Sequence, residues 1–107
     1  MKFRPAALAA ALFVFSGAMP VWAMDALQVR SLAAACAGCH GTEGVAQAGH
    51  ASLAGVSQEA LLTQLMDFKT GQRPATLMHQ IAKGYSDAQL GALAAYFSAQ
   101  KNQQVQP

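Results

Sequence analysis

The stretch that decides the reading is CAGCH, Cys36 to His40, in a chain of 107 residues that has no other cysteine. Two thiols three positions apart with a histidine directly behind them suit three kinds of chemistry. They make a small redox disulfide, supply part of a metal site, or anchor a large group through thioethers. A disulfide between Cys36 and Cys39 closes a tiny loop and constrains little of the unfolded chain. Zinc wants about four ligands; a second C-x-x-C is missing, and His50 and His79 are the histidines left to help. A thioredoxin-like dithiol wants a βαβ context, and no strand alternation is visible here.

C-x-x-C-H is also the attachment pattern of a c-type haem. Each thiol adds to one porphyrin vinyl group, and the histidine behind the second cysteine is held beneath the iron as an axial ligand. One motif means one covalently attached haem c. Cys36, Cys39 and His40 are therefore the first candidate cofactor residues, with His40 the proximal iron ligand.

The start of the chain bears on the compartment. Lys2 and Arg4 precede an apolar run from Ala6 to Phe15, and Val21, Trp22 and Ala23 fit a signal-peptidase site. The apolar run is short for a membrane anchor, the less favoured alternative. Residues 1–23 are expected to be a cleaved signal peptide, leaving 84 residues from Met24, with a monohaem domain over 24–100 and a polar tail over 101–107. Export fits covalent haem attachment, which belongs outside the cytoplasm, and points to the periplasm.

Without Lys2 and Arg4 the net charge of +2 disappears: Arg30, Lys69, Arg73, Lys83 and Lys101 balance Asp25, Glu43, Glu59, Asp67 and Asp87. Nucleic-acid binding needs a basic stripe to neutralise phosphates, so that class is excluded. A domain of this size has a modest core of its own, which an apolar cofactor would enlarge.

The pattern predicts an all-α fold of three to four helices around the haem. A first helix is expected from Asp25 or Ala26 to Cys36, with regular structure loosening after His40. Residues 41–55 read as a glycine-rich loop. Ser57 caps a helix from Gln58 to Lys69, whose stripe is Leu61, Leu62, Leu65 and Phe68, with Val56 and Leu61 as a hydrophobic staple. Gly71 and Pro74 end it. A short helix follows from Met78 to Lys83, closed at Gly84. The last helix is marked by a Ser86–Gln89 capping box and a Tyr85–Leu90 staple, and buries Leu90, Leu93, Ala94 and Phe97.

A second axial ligand comes from Met24, Met66, Met78, His50 or His79. Met24 sits at the expected new N-terminus, and Met66 lies in a helix where methionine is ordinary core filler. Met78 follows a glycine- and proline-punctuated turn, which lets its segment approach the iron from the other side. A thioether there favours reduced iron and a raised potential. His79 is the nearest rival, but adjacent helical side chains diverge by about 100°, and a solvent-facing role is expected for it. His50 is expected to be exposed or locally hydrogen-bonded. With both axial positions filled, no site is open to a substrate, and the reading becomes electron carrier rather than enzyme.

CAGCHGTEG, SLAG, FKTGQRPATLMHQIAKGYSD and LGALAAYF resemble the small class I c-type cytochromes, and within them the cytochrome subunits of flavocytochrome c sulfide dehydrogenases. The resemblance covers nearly all of Met24 to Ser98. It implies thioethers at Cys36 and Cys39, axial ligation by His40 and Met78, and a first helix that crosses the last through Ala33 or Ala34 against Tyr96 and Phe97. It also implies a partner, an FAD-containing flavoprotein that oxidises sulfide and passes electrons singly to the haem, and a downstream acceptor. The family's usual proline before S-L/I-A is replaced by Ala51. Alanine keeps the carbonyl that accepts the Nδ1 hydrogen of the proximal histidine, in a less rigid loop and with a less shielded haem edge. Lys69, Arg73 and Lys83 flank Met78 and are candidates to steer a partner, though each also reads as an ordinary solvated cation. The alternatives are a free monohaem carrier between another dehydrogenase and a terminal oxidase, and a gas-binding or catalytic haem protein with open iron.

Overall fold

A computed structural model describes residues 23–101, which form an all-α domain; all of the expected signal peptide but Ala23, and all of the polar tail but Lys101, lie outside the described residues. Among the described residues there is no strand, and no helix is long and apolar enough to cross a membrane.

Helix α1 runs Ala26–Ala34. Asp25 caps it, its carboxylate accepting from the Gln28 backbone at 2.8 Å while the Gln28 side chain accepts from the Asp25 backbone at 3.0 Å. The expected continuation to Cys36 is not observed. Backbone bonding at Ala35 and Cys36 switches to carbonyls three residues back, with Cys36 N–H to Ala33 O at 3.0 Å. That tightening breaks the helix. A separate turn, α2, then spans Ala37–His40, so ordered structure runs through the CAGCH motif instead of stopping before it. A 3₁₀ turn at Thr42–Gly44 follows inside what reads as loop in the sequence.

Helix α3 spans Gln58–Thr70, with the Ser57 hydroxyl accepting from Ala60 N–H at 3.2 Å and Gly71 closing it in the left-handed region. Helix α4 spans Met78–Lys83 and helix α5 spans Asp87–Ser98. The Ser86–Gln89 capping box is present in both directions, at 2.8 and 3.1 Å.

Helix α5 is the centre of the packing, with α1 and α3 against it and α4 against α3. Its buried residues are Leu90, Leu93, Ala94 and Phe97, the face its spacing predicts. Ala33 of α1 meets this core; Ala34 is exposed. Small alanines let α1 approach Phe97 and Tyr96, whose rings pack edge to face with centroids 5.1 Å apart. Among the described residues, five of the nine buried apolar ones are alanines, so the protein-only core is thin. The α3 stripe shows this too: Leu61 is buried, whereas Leu62, Leu65, Met66 and Phe68 are half-buried.

Candidate functional site

The motif residues come from one helical turn. His40 N–H bonds Cys36 O at 2.9 Å and Cys39 N–H bonds the same carbonyl at 3.3 Å. Positions i, i+3 and i+4 share a helix face, so both thiols and the imidazole project from one side of the turn. Cys36 and Cys39 are free thiols, the first half-buried and the second exposed. Burial pushes the Cys36 thiol above its ordinary range, which keeps it protonated.

Gly41 makes the exit from this turn possible. Its φ is +81°, and a Cβ there would overlap the Val45 carbonyl oxygen. Gly44 then gathers the loop: its carbonyl accepts from Leu53 N–H at 2.8 Å and Ala54 N–H at 3.1 Å, and Gly55 N–H donates to Phe97 O at 3.1 Å. These bonds bring residues 51–55 back over α2 and against α5.

That return places Ala51 O 2.6 Å from His40 Nδ1. A carbonyl has no proton to give, so Nδ1 donates, and the ring is fixed with Nε2 as its free nitrogen. The replacement of proline by alanine has therefore kept the hydrogen bond. This is the outer-shell contact that orients a ligating histidine and raises its basicity.

Met78 opens α4, half-buried. The helix has Leu77 as its N-cap, with no side-chain capping bond. Leu77 and Ile81 remain 55 % and 37 % exposed, and Ile81 lies one turn on from Met78, so apolar side chains beside Met78 have little protein cover. His79 departs from expectation. It is half-buried, not solvent-facing, and its Nδ1 is buried with no hydrogen-bond partner among the described residues. The reason is helical register: Ala82, three positions on, is 1 % exposed, so His79 shares the inward face of α4. Met78 and His79 diverge as adjacent helical positions must. His50 is exposed in a turn, and Met66 lies half-buried in α3.

Among the described residues no three His, Cys, Asp or Glu side chains are arranged to hold a metal ion. A haem fits better: one turn presents two thiols and an oriented imidazole, while α3 and α4 offer incompletely covered apolar side chains and the described residues bury no charged group.

Lys69 is not the free surface cation the sequence suggests. Its Nζ donates to Tyr85 O at 2.8 Å and pairs with Asp87 Oδ1 at 2.7 Å. Arg73 lies over the Phe68 ring, 5.2 Å from the centroid, and Lys83 is exposed.

Residues 29–101 match the family model described as cytochrome c. The chain belongs to the cytochrome c family. Its cofactor is one haem c, held through the C-x-x-C-H motif. This cytochrome is 44 % identical over 66 residues to the cytochrome subunit of sulfide dehydrogenase from Chlorobaculum tepidum, covering 62 % of this chain and 60 % of that one. It is 42 % identical over 71 residues to the thiosulfate dehydrogenase electron acceptor of Thiomonas intermedia, covering 64 % of this chain and 33 % of that one. Among solved structures, cytochrome c4 of Acidithiobacillus ferrooxidans superposes with a TM-score of 0.58 at 42 % identity, covering 61 % of this chain and 38 % of that one. The match thus spans from a third to three-fifths of these proteins' own lengths.

Proposed function

We propose that this cytochrome is the periplasmic electron-transfer subunit of a flavoprotein sulfide dehydrogenase, and that it has no catalytic site of its own. In this reading residues 1–23 are removed and 24–100 form the monohaem domain. Cys36 and Cys39 hold the haem through thioethers, His40 Nε2 is the proximal ligand and the Met78 thioether the distal one. When bound, the haem supplies one-electron chemistry, its iron alternating between ferric and ferrous.

The observation that carries the assignment is the 2.6 Å contact between His40 Nδ1 and Ala51 O. It holds the imidazole in one orientation, so the ligating nitrogen needs no rearrangement when the iron's charge changes. The Met78 thioether sulfur is uncharged and polarisable, which favours the reduced state. Arg73 and Lys83 are the cations left to meet an acidic partner surface, since Lys69 is engaged within the fold. Sulfide as the electron source rests on likeness to the Chlorobaculum tepidum subunit.

Replacing Met78 by alanine tests the ligand set. The expected outcome is loss of the methionine–iron absorption band, a lowered potential and binding of external imidazole; an unchanged spectrum refutes it. The partner is tested by purification from native periplasm with a flavin assay, and by haem reduction with sulfide in the presence and absence of the flavoprotein. A second reading, a free carrier serving another dehydrogenase, is favoured by the likeness to a thiosulfate dehydrogenase electron acceptor. It predicts no co-purifying flavin.

A further inference from the structure

Lys69 joins three places that the chain separates. It lies in the last turn of α3, and its partners Tyr85 and Asp87 lie beyond α4. The intervening segment contains Met78. Its near end is pinned to α3 by backbone bonds: Gln72 N–H and Arg73 N–H both reach Asp67 O, at 2.9 and 3.2 Å. Its far end is pinned by the Lys69 ammonium, through the Tyr85 carbonyl at 2.8 Å and the Asp87 carboxylate at 2.7 Å. Between these pins, α4 starts at Leu77 without a side-chain cap. Tyr85 carries the link further, since its ring and Cys36 pack against the same buried core.

We propose that Lys69 is a positioning residue for the distal ligand: its two bonds close the Met78 segment into a loop of fixed size and so set how readily the methionine leaves the iron. The proposal rests on Met78 as ligand. The two bonds differ in weight. The Lys69 side chain is 26 % exposed and Asp87 72 %, so the ion pair is largely solvated and the bond to the half-buried Tyr85 carbonyl dominates.

The test uses the exported holoprotein and the rate at which imidazole displaces the methionine, followed by loss of the methionine–iron band. Lys69→Met is expected to raise that rate about tenfold, equivalent to ~1.4 kcal/mol of barrier. Asp87→Asn should raise it about two- to threefold, the size of an exposed ion pair. Lys69→Arg, which keeps the charge and the donors, should stay near wild type. Ser57→Ala removes a cap at the opposite end of α3 and should lower the melting temperature while leaving the rate unchanged.

A mere field effect gives a different pattern. Removing a cation and removing an anion then shift the reduction potential in opposite directions, with no common rise in exchange rate. That pattern overturns the proposal, as does a wild-type rate in Lys69→Met. If Lys69→Met fails to mature, Asp87→Asn decides the question by the same criterion. Failure of the ligand reading is separate: Met78→Ala would then keep the wild-type band.

Discussion

Around Cys36 to His40, three chemistry-bearing side chains come from one helical turn, and the chain beyond is bent by Gly41 and Gly44. Around Met78, one side chain sits at the start of a six-residue helix and is held from outside, by α3 packing and by Lys69. In the first region the spacing of the three side chains is local and resides in the backbone, with only the His40 ring set from further along the chain, by Ala51 O. In the second the geometry is imported through side chains from elements far along the chain. Local backbone geometry tolerates very few substitutions, whereas a segment held from outside can be loosened by degrees. With Met78 as the proposed ligand, the attachment turn is the permanent region and the Met78 segment the adjustable one.

Substitution at Gly41 should break this contrast most severely. A Cβ there would run into the Val45 carbonyl at a φ of +81°. Gly41→Ala is expected to cost more than about 3 kcal/mol, and the yield of haem-bearing protein should collapse. Maturation at wild-type yield would show that the first region is not dictated by its backbone.

Gly44→Ala should be milder. Its φ is +78°, and a Cβ would lie 2.8 Å from a Phe97 ring carbon and 3.0 Å from Ala54 N. A cost of about 1–3 kcal/mol is expected, read as a lower melting temperature. The contact between Ala51 and His40 depends on this same loop, so the histidine-linked spectrum should broaden as well.

The smallest effect concerns the second region. Burial raises the Tyr85 hydroxyl above the usual tyrosine value of about 10. A group whose folded pKa is raised contributes stability that is whole below the unfolded value and is lost as pH climbs through the folded one. The native protein should therefore lose a little stability above about pH 10 that Tyr85→Phe does not lose. Thermal unfolding across that range, alongside the tyrosinate absorbance, checks it. Identical alkaline behaviour in both proteins would remove Tyr85 from this role.

Much was legible from residue types alone. The order Cys36, Cys39, His40 names the chemistry because its spacing is that of a helical turn, whatever surrounds it. Ser57, Ser86 and Gln89 announce helix starts because capping is a bond between near neighbours. Leu90, Leu93, Ala94 and Phe97 show a buried face for the same reason of local periodicity. The end of α1 escaped because no breaker marks the run Ala33 to Ala35; the change to tighter bonding depends on what α1 and α2 pack against. His79 escaped because adjacent positions on a six-residue helix look alike until α3 decides which face turns inward.

The amino-acid order by itself settled that this is an all-α chain with one haem-attachment turn, since thiols, imidazole and caps act over three or four residues. Only the tertiary structure decided that Lys69 closes the Met78 segment and that His79 faces inward; the Ala51–His40 contact was expected from the family resemblance, and it is the fold that brings the two residues together. Those contacts join residues eleven and sixteen positions apart, or depend on how one helix is rotated against another. Such distances are closed by packing, which no local pattern records.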